Sequence, residues 1–151
     1  MYTLVRRYLK TAIAFLAVGL GIGGWMIVRR ELAGAAPDAY LASAHTHALF
    51  VGFVMMMIMG VALWLFPRPD KADERYDPRL ASLAYWLLTV STAGRVMGEV
   101  LRSTVGAPWL RMSVAVSGIV QALAIGIFFY TIWTRIRAVG SRGREAKGER
   151  F

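Results

Sequence analysis

The sequence predicts an all-α membrane protein: a four-helix transmembrane bundle with both termini cytoplasmic. Three observations predict it. Hydrophobic residues make up 57% of the 151 residues and mean hydropathy is +0.49, against about 45–50% apolar in a soluble domain. The apolar excess gathers in four runs, each long enough to cross a hydrocarbon core of about 30 Å as a helix. The net charge of +9, with a pI of about 10.7, gathers at the chain ends and in connections beside those runs. That distribution belongs to membrane topology, not to nucleic-acid binding. The chain has no cysteine, which excludes disulfides, thiolate metal sites, Fe–S clusters and C-x-x-C-H attachment.

Residues 1–10 form a basic lead with Arg6, Arg7 and Lys10, and Thr11–Val28 is the first apolar run. Ala33-Gly34-Ala35 and Ala42-Ser43-Ala44 resemble signal-peptidase sites, but the run exceeds the usual apolar region of about 7–15 residues, so it reads as an uncleaved span. Gly19-x-x-x-Gly23, with Gly21 and Gly24, leaves a bare surface where another helix can approach closely. After the connection 29–36, Pro37-Asp38 starts the second helix, and Pro67 and Pro69 end it. A charged loop over Pro67–Arg79 leads to the third span, Leu80–Leu101, which carries Arg95 and Glu99. A turn over Arg102–Pro108 precedes the fourth span, Trp109–Trp133, with Arg111 near its start and Gln121 near its middle. Residues 1–134 thus form the bundle, and 135–151 a basic cytoplasmic tail.

Four spans put both ends on one side. Most Lys and Arg sit in the lead, the second connection and the tail, so that side is cytoplasmic. The start of span two, the end of span three and the start of span four then share the outer layer. His45, His47, Arg95, Glu99, Arg102 and Arg111 fall into it.

From His45 to Phe66 no Lys, Arg, Asp or Glu occurs, and the chain's only two histidines stand at the start of that run. An ionisable residue inside a span is costly, and it is a candidate site for that reason. His45 and His47 are two apart, about 200° around a helix, so they face different partners. Arg95 and Glu99 are four apart and can pair on one helix face. Thr92, Arg95, Glu99 and Arg102 form one stripe, which should face the bundle interior or a ligand. Three readings remain open: an internal ion pair, Arg95 snorkelling to the interface, or Arg95 with Arg102 or Arg111 neutralising an acidic ligand group such as a haem propionate. Met55, Met56, Met57 and Met59 point in different directions and read chiefly as packing, although thioethers also bind Cu(I) and haem iron. Gly52 and Gly60 lack side chains and would let a flat macrocycle or a neighbouring helix lie close.

The segment His45-Thr46-His47-Ala48-Leu49-Phe50-Val51-Gly52-Phe53, followed by Gly60 and Pro67-Arg68, resembles the second helix of haem–copper oxidase subunit I, in particular that of the C-family of cytochrome c oxidases and of the nitric oxide reductases. The H-x-H followed by glycine-aromatic is also similar to nitric-oxide-response haem and copper membrane proteins. The resemblance implies that His45 is an axial ligand of a b-type haem near the outer face, and that His47 is a second metal or haem ligand. Together with the polar stripe and the bare glycine surface, this gives an expected cofactor site of His45, His47, Arg95, Glu99, Arg111 and Gly52 in a bacterial inner-membrane protein. Two histidines cannot build the haem–copper centre of those enzymes, so the chain departs from the pattern there. The resemblance therefore implies a small membrane haem b protein for electron transfer or for binding or sensing nitric oxide, carbon monoxide or oxygen. A copper- or zinc-binding membrane protein is an alternative, as is a cofactor-free accessory subunit of a respiratory oxidase. The small-residue faces and the shortage of ligands point to a homo-oligomer.

Overall fold

The computed structural model describes residues 2–67, 77–136 and 147–148. The rest of the expected Pro67–Arg79 loop (68–76) and most of the expected tail (137–146 and 149–151) lie outside the described residues. The described residues form four long helices and no strand. Helix α1 covers Tyr2–Glu31 and helix α2 covers Ala39–Leu65. Helix α3 is Pro78–Arg102 and helix α4 is Trp109–Ile132, closed by a 3₁₀ turn over Trp133–Arg135.

The punctuation in the sequence sets these boundaries. The Asp38 side chain accepts from the amides of Tyr40 at 2.8 Å and Leu41 at 3.1 Å, which makes it the N-cap of α2. Asp77 caps α3 through the Arg79 amide at 2.7 Å, with Pro78 as the first helical residue. At the end of α1 the chain turns on Gly34, whose φ of +59° suits a residue without a Cβ.

The basic lead is helical, not a separate arm. Val5, Tyr8, Ala12 and Phe15 recur at helical spacing and are all buried, while Arg6, Arg7 and Lys10 point outward. Helix α2 also departs from plain expectation: His47–Met55 is π-helical between two α-helical segments. Its buried residues Ala44, Ala48, Gly52 and Met56 recur every four residues. Such a repeat runs ahead of an α-helix by about 40° per step, and the wider π coil takes up that drift, keeping the row against its neighbours.

The four helices meet most closely at one end. Val5, Tyr8, Phe15, Met56, Met59, Leu63, Leu88 and Phe128 belong to one buried cluster drawn from all of them. The Tyr8 ring packs edge-on against Tyr85 at 5.0 Å and Phe128 at 5.9 Å. At that end Arg135 is fully buried. It donates to the carbonyls of Pro67 at 2.8 Å and of Leu63 and Phe66 at 3.1 Å. These include carbonyls that the last turn of α2 leaves without helical partners, so Arg135 caps α2 and ties α4 to it. Arg135→Ala should lower stability by about 1.5–3 kcal/mol, the range for hydrogen bonds from a charged donor. Arg135→Lys should recover only part, since an ammonium lacks the planar fork. Unfolding midpoints in detergent would measure this, and wild-type stability in Arg135→Ala would show the clamp to be idle.

Three helical stretches are long and apolar enough to cross a membrane: Thr3–Glu31, Ala39–Leu65 and Trp109–Arg135. Helix α3 has 25 residues, which is enough length, but Arg79, Arg95, Glu99 and Arg102 lower its hydropathy. All five tryptophans (Trp25, Trp64, Trp86, Trp109 and Trp133) are exposed, and all but Trp86 lie toward helix ends, as in the aromatic belts of membrane proteins.

Candidate functional site

The half of the bundle away from the apolar cluster is organised by polar residues. The two histidines diverge there, as their spacing requires. His45 turns toward α1. Its Nδ1 lies 2.8 Å from the Gly19 carbonyl. A carbonyl oxygen can only accept, so Nδ1 carries a proton, and in the neutral imidazole the lone pair is then on Nε2. Gly23 makes this contact possible: a Cβ there would stand 2.7 Å from Cε1 of the imidazole and 3.0 Å from Nδ1. The Gly19-x-x-x-Gly23 motif therefore seats a histidine, not only a helix.

Beside His45 is an open cleft of about 490 Å³, walled by Gly23, Gly24 and Met26 of α1, with Arg29, Arg30 and Asp38 also lining it. Arg30 pairs with Glu31 at 2.6 Å, with both side chains more than half exposed, so the pair restrains that guanidinium weakly.

His47 turns toward α3. Its Nδ1 donates to the Ser43 carbonyl at 2.8 Å. The hydroxyl of Ser43 donates to Oε1 of Glu99 at 2.8 Å, and Nε of Arg95 donates to the same oxygen at 3.2 Å. Nη1 of Arg95 reaches Gln121 on α4 at 3.4 Å, and Gln121 donates to Thr92 at 3.0 Å. Glu99 is only 3% exposed. Its Oε2 lies 3.3 Å from Nδ1 of His47, but that nitrogen's one proton is committed to Ser43. Oε2 is therefore in ion-pair range without accepting a hydrogen bond. The row joins α2, α3 and α4, and burying such a set is tolerable because nearly every member is satisfied.

The expected outer layer thus resolves into two sites. The structure brings His47, Arg95 and Glu99 together and separates them from His45. Arg102 stacks on Tyr40, 4.2 Å from the ring centroid, and donates to its hydroxyl at 2.7 Å. Arg111 is exposed at the start of α4, away from the cleft. Gly52 is in contact with α1, where a Cβ would stand 2.5 Å from Cγ of Phe15. Arg29, Arg30 and Met26 line the cleft and were not singled out as site residues from sequence. Their spacing could have found them, since Gly23, Met26 and Arg30 succeed one another at three- and four-residue steps along one side of α1.

The residues around the cleft fit a planar anionic macrocycle held by an imidazole. An imidazole with its proton fixed on Nδ1 is ready to bind metal through Nε2. The cleft volume falls within the range of about 300–1,000 Å³ typical of cofactor sites, and two guanidinium groups complement acidic arms. A chelated copper or zinc ion is less well served. His45 and His47 face different helices, and no group of three or more His, Cys, Asp or Glu suited to a metal occurs among the described residues. A family model described as Cytochrome C and Quinol oxidase polypeptide I matches residues 3–146. No solved structure matches the chain.

Proposed function

The chain belongs to the cytochrome c and quinol oxidase polypeptide I family, and from that premise we propose that it is a small membrane protein holding one b-type haem through Nε2 of His45. The observation that carries this reading is the Nδ1 contact of His45 with the Gly19 carbonyl at 2.8 Å, beside an open cleft. Beside the imidazole, Gly24 leaves the cleft wall bare, with nothing within 4 Å of where its Cβ would stand, so a flat ring can lie close there. Arg29 and Arg30 take the role of neutralising the propionates, in place of Arg95 and Arg111, because they line the cleft and the latter pair do not. Bound there, a haem would supply an iron able to change oxidation state or take a diatomic gas. The protein's part is to orient the imidazole and offset the acidic charge. The buried row from His47 to Gln121 holds the helices that frame the cleft.

The distribution of Lys and Arg supports cytoplasmic termini and a cleft at the outer face of a bacterial inner membrane. The test is a visible spectrum of the full chain purified in mild detergent, together with metal analysis. Wild type and His47→Ala should show a Soret band, and His45→Ala should lose it while remaining folded by circular dichroism. Stoichiometric copper or zinc without a Soret band would overturn the reading, as would a Soret band that survives in His45→Ala.

A further inference from the structure

We infer that Met26 supplies the second axial ligand at the His45 site, making it a six-coordinate electron carrier, not an open gas-binding site. The inference rests on the haem reading above and goes beyond it. Met26 and His45 line the same cleft. Met26 is three residues beyond Gly23, against which the imidazole packs, or about 4.5 Å further along α1.

The other candidate donors among the described residues are committed elsewhere. His47 lies on the opposite side of α2, with Nδ1 on the Ser43 carbonyl. Met56 and Met59 are fully buried in the apolar cluster at the far end, and Met55 and Met57 pack against it. Met97 and Met112 are exposed on α3 and α4. Met26 is therefore the one described thioether lining the cleft with an imidazole whose Nε2 is available. Met26 is half-buried, and its unbranched side chain has three rotatable bonds with which to adapt. A thioether is a soft donor that favours the reduced metal, so histidine–methionine ligation raises a haem potential. A site built this way holds electrons at a high potential and gives small gases no vacant position.

The test compares wild type, Met26→Leu and Met26→His as full chains in detergent. Leucine keeps the volume and removes the donor, so folding is little disturbed. Wild type should be low-spin when oxidised and should bind little carbon monoxide when reduced. Met26→Leu should become high-spin and bind carbon monoxide readily. Met26→His should return to low-spin with a lower midpoint potential than wild type. Identical spectra and carbon monoxide binding in wild type and Met26→Leu would overturn the assignment. If both stay low-spin with one haem per two chains, His45 of a second copy is the partner and Met26 is not. If wild type binds no haem under any loading condition, the haem reading itself fails, a result distinct from either of these.

Discussion

Replacing Glu99 by alanine should destabilise the bundle by about 3 kcal/mol, the lower end of the cost of leaving a buried charge without its partner. The lower end applies because Arg95 is 25% exposed and part of its charge can be screened. Glu99 receives hydrogen bonds from two helices, from Ser43 on α2 and from Arg95 on α3, and Arg95 extends the connection to Gln121 on α4. Removing the carboxylate strands a guanidinium between three helices and leaves the Ser43 hydroxyl without its acceptor. Glu99→Gln should lose less, since an amide oxygen can still accept. Adding Arg95→Met to Glu99→Ala should restore much of the loss, because replacing a whole buried pair by apolar groups is often neutral or stabilising. Unfolding by SDS in mixed micelles, followed by tryptophan fluorescence, would measure all four proteins. A Glu99→Ala protein as stable as wild type would mean that the row carries no weight. A double variant weaker than the single one would mean that Arg95 stabilises through contacts other than Glu99.

The same residues show how far the sequence could be read. The helix start at Asp38 and the end of α2 near Pro67 were legible, because proline and capping side chains act locally; the cap at Asp77 was passed over, since the charges around it extended the expected loop to Arg79. The divergence of His45 from His47, and the Arg95–Glu99 pairing, followed from helical geometry alone. What was not legible depends on which helix lies beside which. Arg135 follows the apolar run of α4 and reads as one more basic residue at a membrane edge. Its acceptors are the carbonyls of Leu63, Phe66 and Pro67, which stand 68 to 72 positions earlier in the chain. Gly118 is equally silent in sequence. Its bare backbone makes room for Nη1 of Arg95, where a Cβ would collide.

The basic lead was ambiguous too, since Arg6, Arg7 and Lys10 set it apart from the span until Val5 and Tyr8 find the other helices to pack against. The guanidinium groups beside His45 could not be picked out for a related reason. Arg95 and Arg111 share its layer, but Arg29 and Arg30 share its cleft. Depth can be counted along a sequence, while azimuth around a bundle cannot. The π-helical stretch His47–Met55 changes that azimuth further, and no residue type in it announces the change.

On the proposed haem reading, Gly23→Val should weaken haem retention while leaving the bundle folded. The valine Cβ would begin 2.7 Å from Cε1 of His45 and 3.0 Å from Nδ1, well inside contact distance, with two methyl groups still to place. The imidazole stands between α1 and α2 and cannot yield without losing its bond to the Gly19 carbonyl. Overpacking of this kind costs about 1–3 kcal/mol, and it falls on the one geometry that frees Nε2 for the iron. At about 1.4 kcal/mol per tenfold, haem affinity should drop by roughly tenfold to a hundredfold, read as faster transfer to an excess of a haem-free acceptor protein. Gly21→Val is the control. It places the same side chain on the same helix, but no atom lies within 4 Å of its Cβ, so retention should match wild type. Equal loss in both variants would trace the effect to helix α1 as a whole. Loss in Gly23→Val alone would tie it to the seat of the imidazole, and retention in Gly23→Val would mean that His45 does not need that seat to hold the ring.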